Sequence, residues 1–193
     1  MALAYSDVTV ELKEVSLKNR PQELFDVSSK GTVPVLCIDS STIIDESLDI
    51  MIWALNYNDP ENWIEGNKQS QLDMIVLYDN EFKHWLDRYK YYERYPENEM
   101  EYYRQKCDHH LSELDILLSK NHFIISDNLS LVDVAIFPFV RQFANVNNNW
   151  FIDNYPNVSN WLNNIIESKL FLSVMEKYQP CEDKPLIINF NKN

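Results

Sequence analysis

The sequence predicts a two-part chain, a small α/β unit followed by an all-helical one. Two observations carry this reading. Up to about residue 57, strand-like alternation and short apolar runs are interleaved with brief helical signals, whereas from about residue 68 onward the apolar residues recur with helical period. Alternating strand and helix followed by pure helix implies two domains. The boundaries read as 1–57 for the α/β unit, 58–67 for a polar linker, and 68–193 for the helical domain. A hydrophobic fraction of 45% and an aromatic fraction of 13% are enough to build a packed core in each.

The elements follow in order. Val8-Thr9-Val10-Glu11-Leu12 alternates as a half-buried strand does. Arg20-Pro21-Gln22-Glu23-Leu24-Phe25 starts a short helix with proline near its first turn. Ser28-Ser29-Lys30-Gly31 turns the chain into the apolar run Thr32–Ile38, a buried strand in pattern, although Pro34 cannot donate to a ladder. Asp39-Ser40-Ser41 makes a tight turn, and Thr42-Ile43-Ile44 returns as a hairpin partner. A helix from about Glu46 to Asn56 has Leu48, Met51, Ile52 and Leu55 on one face.

Beyond the linker, Leu72, Ile75/Val76, Phe82, Leu86 and Tyr89 trace a stripe along a long helix, with Asp79 in register on it. Tyr102 to Lys120 forms a second helix with Leu111, Leu114, Leu117 and Leu118 inward. A third, very apolar helix starts at Asp127–Asp133 and runs through Phe139, and Asn145–Asn149 reads as a turn. Two shorter helices are expected near Val158–Glu167 and Leu170–Tyr178, and the proline-bearing tail after Pro180 is expected to wrap the surface.

Composition excludes several functions. A net charge of −13 disfavours nucleic acid and anionic membrane surfaces as partners. No run approaches the roughly 20 apolar residues of a membrane span, and Met1–Asp7 has neither the basic stretch nor the apolar length of a signal peptide. Three distant cysteines, Cys37, Cys107 and Cys181, argue against a disulfide framework and fit a reducing cytoplasm. His84, His109, His110 and His122 form no metal-ligand spacing, so no metal is expected. With only two glycines, Gly31 and Gly66, a phosphate-cradling loop is excluded.

Three local features point to a family. Thr32-Val33-Pro34-Val35-Leu36 resembles the thioredoxin-fold strand that opens on a cis-proline; a cis X-Pro bond turns the backbone of the preceding residue outward and leaves its N–H and C=O free for a ligand. An edge strand that tolerates proline fits the pentapeptide equally well. Asp45-Glu46-Ser47 opens a helix directly after the hairpin. A serine hydroxyl with free helix amides makes a carboxylate site and Glu46 can accept from an ammonium, although ordinary N-capping explains the same residues. Ser130-Leu131-Val132-Asp133 is a capping box, with Leu129 and Val134 as its hydrophobic staple, and its role is folding stability.

Together these resemble glutathione transferases, and more closely a bacterial subfamily marked here by Lys30-Gly31-Thr32-Val33-Pro34-Val35-Leu36, Glu46-Ser47-Leu48-Asp49-Ile50-Met51, Leu86-Asp87-Arg88-Tyr89-Lys90-Tyr91, Phe137–Phe143 and Met175-Glu176-Lys177-Tyr178. The resemblance covers nearly the whole chain. It implies a thioredoxin-like N-terminal domain joined to an all-α bundle, a cytoplasmic homodimer, and glutathione as co-substrate with a small electrophile. It implies a glutathione site at Val33, Pro34, Glu46 and Ser47, with Lys30 beside them; Val33 would pair with the cysteinyl part and Glu46-Ser47 with the γ-glutamyl end.

Members of that subfamily open with a strand and a Cys-Pro-x-x turn carrying the nucleophilic cysteine, and the present sequence aligns from inside the helix that follows. The N-terminal domain is therefore expected to be truncated, the catalytic residue is unassigned, and the chain as given is expected to be weakly active or inactive; a non-catalytic binding protein on the same fold is the alternative. Cys37 is expected to be an inert core thiol, and neither Cys107 nor Cys181 matches a family motif. The strand at 8–12 would lose its neighbour and should slide inward, pair with another chain or stay poorly ordered. A second candidate site is the cation- and aromatic-rich segment Phe82–Tyr95. Lys83, Arg88 and Lys90 there would line the co-substrate cleft, although a solvated face with snorkelling side chains accounts for the same pattern; Asp79, one turn before the segment, would either point into that cleft or pair across the domain interface, with Arg88 or Arg141 as its partner.

Overall fold

The opening residues Ala2–Tyr5 close a short helix, α1, whose Ala2 is buried and which packs on a later helix, α3 (Ser47–Tyr57). The computed structural model describes residues 1–64, 67–180 and 186–188. Between these two helices run strand β1 (Val10–Leu12), helix α2 (Gln22–Val27) and the hairpin β2 (Leu36–Cys37) and β3 (Ile43–Ile44). The hairpin pairs Leu36 with Ile44 and Cys37 with Ile43. Its turn is held by Asp39, whose Oδ1 accepts from Ser41 N, Ser41 Oγ and Thr42 N at 2.8, 2.7 and 2.8 Å. These bonds favour the charged form and lower the carboxyl pKa to about 2.

The face that α3 buries is Ile50, Ala54 and Leu55, not the expected Leu48–Met51–Ile52–Leu55 row, whose first three members are only half-buried. Ala54 is fully covered and offers the small side chain that lets another helix approach closely.

The helical unit consists of α4 (Lys68–Leu77), a π-helical turn over Tyr78–Phe82, α5 (Lys83–Lys90), α6 (Met100–Leu118), α7 (Leu131–Ala144), α8 (Asn148–Asn154) and α9 (Pro156–Ile166). The inward row of α4 and α5 is Gln71, Ile75, Tyr78, Phe82, Leu86 and Tyr89. Tyr78 takes the inward position that the sequence had offered to Asp79. Its ring is buried and its hydroxyl donates to His110 O at 3.0 Å, so an apolar body finds a partner for its polar tip. Leu117, expected inward on α6, is exposed, and Tyr103, Cys107 and His110 complete that face with Leu111, Leu114 and Leu118.

Asn145–Asn149 does not remain a turn. Asn147 caps α8, its side chain accepting from Trp150 N at 3.1 Å. Asp115 of α6 caps α9, accepting from Asn157 N and Val158 N at 2.9 and 3.0 Å. The helix α10 (Lys169–Ser173) and strand β4 (Leu186–Ile188) complete the order.

Contacts gather the described chain into two units, Met1–Glu61 with the residues from Lys169 onward, and Asn62–Ser168. The sequence had kept the last segment in the helical domain. The pairing of β4 with β1 ties it to the first unit, Val10 opposite Ile188, Glu11 opposite Ile187 and Leu12 opposite Leu186, antiparallel. This corrects two expectations. The tail carries a strand, and β1 does not stay without a partner: the chain's own C-terminal segment satisfies one of its edges.

His110 is 3% exposed, and neither ring nitrogen has a hydrogen-bond partner among the described residues. Tyr78 and Phe82 meet it edge-on, and Glu81 Oε1 stands 3.5 Å from Nε2. Burial lowers its pKa below the ordinary value, against an opposing pull from Glu81. A histidine with a depressed folded pKa is stabilising in its neutral form, so its contribution is intact above the unfolded pKa of about 6.5 and is lost as pH falls below it. Stability measured by urea unfolding is therefore expected to fall between pH 7 and 5.5, by at most about 1.4 kcal/mol per pH unit from this group. His110→Phe should flatten that slope; an unchanged slope would remove His110 as its source.

Candidate functional site

The residues singled out in the first unit fall on three adjoining stretches: the turn at 28–31, the run from Thr32 into β2, and the start of α3. Gly31 has φ +58, and a Cβ there would lie 2.2 Å from Phe25 Cε1, so both backbone conformation and space require glycine. Its N–H donates to Ser28 O at 2.9 Å and closes the turn. The Val33–Pro34 peptide is cis. Val33 is 46% exposed, and its main chain makes no hydrogen bond among the described residues; ladder pairing begins only at Leu36.

The N-terminus of α3 is open. Glu46 is the N-cap residue, yet no side chain caps the helix, and the first helical bond runs from Ile50 N to Glu46 O. The amides of Ser47, Leu48 and Asp49 thus face outward without partners among the described residues. Glu46 is bound from outside the helix. Lys30 Nζ donates to Glu46 Oε1 and also to Asp45 Oδ1 at 3.0 Å, while Ser28 Oγ donates to Asp45 Oδ2 at 2.8 Å. The carboxylates hold the Lys30 ammonium above its ordinary pKa, Glu46 first, and the Ser28 and Lys30 hydrogen bonds hold the Asp45 carboxyl below its own. Asp45 and Ser28 were not among the site residues expected from sequence; the signal was local, since Asp45 directly precedes the Glu-Ser pair.

Cys37 corrects an expectation. It is exposed, because the hairpin is two strands wide and leaves that side chain uncovered. Cys107 is buried, and burial pushes its thiol pKa up, which makes it a poor nucleophile. Cys181 lies outside the described residues.

In the helical unit, Asp79, Lys83, Arg88 and Lys90 divide by their contacts. Asp79 pairs with Lys83 at 3.2 Å, one turn on, rather than with Arg88 or Arg141, since the inward place is taken by Tyr78. Lys83 also stands 5.7 Å from the Phe139 ring of α7, and Lys90 donates to Gln142 Oε1 of α7 at 2.9 Å. Arg88 instead donates to His84 O at 3.2 Å and lies over the Tyr95 ring at 4.7 Å.

Comparison with known proteins gives this geometry a context. The model of the glutathione S-transferase N-terminal domain matches residues 1–55, and that of the C-terminal domain matches residues 76–169. The chain belongs to the glutathione S-transferase family. No curated protein sequence matches it. Among solved structures, the glutathione transferase URE2P6 from Phanerochaete chrysosporium, in complex with oxidized glutathione, is similar at 17% identity and TM-score 0.76, over 90% of this chain and 86% of that one. A family member from Pseudomonas fluorescens pf-5, with two glutathione bound, is similar at 17% identity and TM-score 0.75, over 89% and 83%. BphK, a bacterial GST in a ternary complex, is similar at 18% identity and TM-score 0.75, over 89% and 88%. At these identities the likeness is one of fold: a thioredoxin-like N-terminal domain with a helical C-terminal domain. Among the described residues no helix is long and apolar enough to cross a membrane.

Proposed function

We propose that this glutathione S-transferase family member binds glutathione in its first unit and directs the tripeptide's sulfur to a small electrophile. The observation that carries the reading is the start of α3, where three amides lack partners, Ser47 adds a hydroxyl and Glu46 adds a carboxylate. A γ-glutamyl end carries one carboxylate and one ammonium. The carboxylate suits the open amides and hydroxyl, where the positive end of the helix dipole lies, and the ammonium suits Glu46. The free main chain of Val33, next to Pro34, offers a donor and an acceptor to the cysteinyl peptide in the manner of an added strand. Support also comes from glutathione-bound solved structures of the same fold. In the transfer itself the thiol would give up its proton to water, and the sulfur would form a bond to electrophilic carbon as that carbon's leaving group departs with its electron pair.

The test is calorimetric titration with glutathione, paired with thermal unfolding in its presence. A ligand bound only to the folded state stabilises it by about 2.7 kcal/mol at a hundred times its Kd. Ser47→Ala and Glu46→Ala are each expected to weaken binding about 10–150-fold, the cost of a lost hydrogen bond to a charged group. No thermal shift with glutathione would overturn the reading.

A further inference from the structure

Lys30 puts an ammonium where the proposed ligand would put its own. Its Nζ spans Glu46 Oε1 and Asp45 Oδ1, and Asp45 is held on its other oxygen by the buried Ser28. The lysine springs from a turn with little freedom, because the left-handed Gly31 behind it is packed under Phe25. Asp45 and Glu46 therefore differ in kind. The first has a second fixed partner, whereas among the described residues Glu46 has only the lysine and is 61% exposed.

From this we infer that Lys30 is a built-in counter-ion that fills the ammonium half of the γ-glutamyl subsite when it is empty, then yields Glu46 to the ligand and retreats to Asp45. The inference rests on the reading that Glu46 receives the ammonium of glutathione. Its chemical content is a selectivity. A ligand with both an ammonium and a carboxylate must displace Lys30 from Glu46, a competition that weakens its binding. A ligand with the carboxylate alone leaves the lysine in place and gains from its positive charge nearby. Lys30 thus narrows the preference of the site for amino-bearing γ-glutamyl compounds over deaminated ones, and Asp45 sets how readily it gives way.

The experiment measures Kd by titration calorimetry for glutathione and for its deamino analogue, glutaryl-cysteinyl-glycine, on wild type, Lys30→Met, Asp45→Asn and the double variant. Lys30 and Asp45 are side chains of 48% and 29% exposure, so the variants are expected to fold, and thermal unfolding checks that they do. Lys30→Met is expected to tighten glutathione and to weaken the analogue, each by about threefold, the scale of an exposed ion pair. Asp45→Asn should weaken glutathione, because the displaced lysine loses its second partner, and the double variant should return to the Lys30→Met value. Equal weakening of both ligands by Lys30→Met would make Lys30 an ordinary carboxylate contact and overturn the inference, as would no change in either. If Lys30→Met, in which Glu46 is left to the ligand alone, binds glutathione and the analogue equally well, the assignment of the ammonium to Glu46 is what fails, and the role of Lys30 falls with it.

Discussion

Replacing Asp133 with alanine is expected to lower the unfolding free energy by about 3–5 kcal/mol, the range for removing one partner from a buried charged network. Asp133 is fully buried at the third position of α7 and gathers donors from three directions. Its Oδ1 accepts from Ile124 N at 3.0 Å and from Trp161 Nε1 at 2.8 Å, and its Oδ2 accepts from Ser130 N at 3.0 Å and from Ser130 Oγ. Alanine would leave each donor in a dry interior, where an unpaired group costs about 1–3 kcal/mol. Burial raises the carboxyl pKa, and the hydrogen bonds from Ser130, Ile124 and Trp161 oppose that rise. Asp133→Asn keeps the shape but turns an amide donor toward two donors, so it should recover only part of the loss. Trp161→Phe removes a single bond and should cost about 1–3 kcal/mol, less than additively with Asp133→Ala. Urea unfolding of wild type, the three single variants and the Asp133→Ala/Trp161→Phe double variant checks this, and a loss below about 1 kcal/mol for Asp133→Ala would mean that the network contributes little.

The capping box at Ser130–Asp133 was legible because it is a local pattern, four consecutive residues whose roles follow from helix geometry. What Asp133 reaches beyond that box was not, since Ile124 and Trp161 are joined to it only by the fold. The same division runs through the molecule. The helices with long periodic stripes were predicted within a turn or so, yet the choice between Tyr78 and Asp79 depended on His110 O, thirty-two positions away. The Asn-rich segment has turn composition, and only the cap on Trp150 N and the burial of Phe151 make it a helix. Leu186–Ile188 is an unremarkable short run until β1 offers it an edge, and no local rule says which edge will be free. At the candidate site, Lys30, Val33, Pro34, Glu46 and Ser47 came from the motifs that resemble those of glutathione transferases. Their arrangement was not readable that way, because the Ser28–Asp45–Lys30–Glu46 chain joins a turn to a helix start that lies beyond the hairpin.

Phe143→Ala is expected to be about as damaging as the loss of Asp133, for the opposite physical reason. Phe143 is 1% exposed on α7, and its ring stands 4.9 Å from that of Tyr89, 6.1 Å from Phe82, 6.3 Å from Trp150 and 6.2 Å from Phe151. It therefore joins α5, the π-helical turn and α8 through one side chain. Truncation removes the transfer free energy of the ring and leaves a cavity walled by large aromatics that cannot collapse without moving helices, a cost of about 3–5 kcal/mol. Phe143→Leu refills most of the volume and should cost about half as much. Thermal and urea unfolding at neutral pH measure both, and hydrogen exchange should report the greatest loss of protection at α8. That seven-residue helix has Phe151 as its buried member, and Phe143 is one of the rings that cover it. Phe143→Ala with near-native stability, or with α8 amides still fully protected, would move the centre of this core elsewhere. Titration of the same variant with glutathione separates the two units: a folded Phe143→Ala protein is expected to keep the wild-type Kd, because the residues proposed to hold glutathione lie in the first unit and Phe143 in the second.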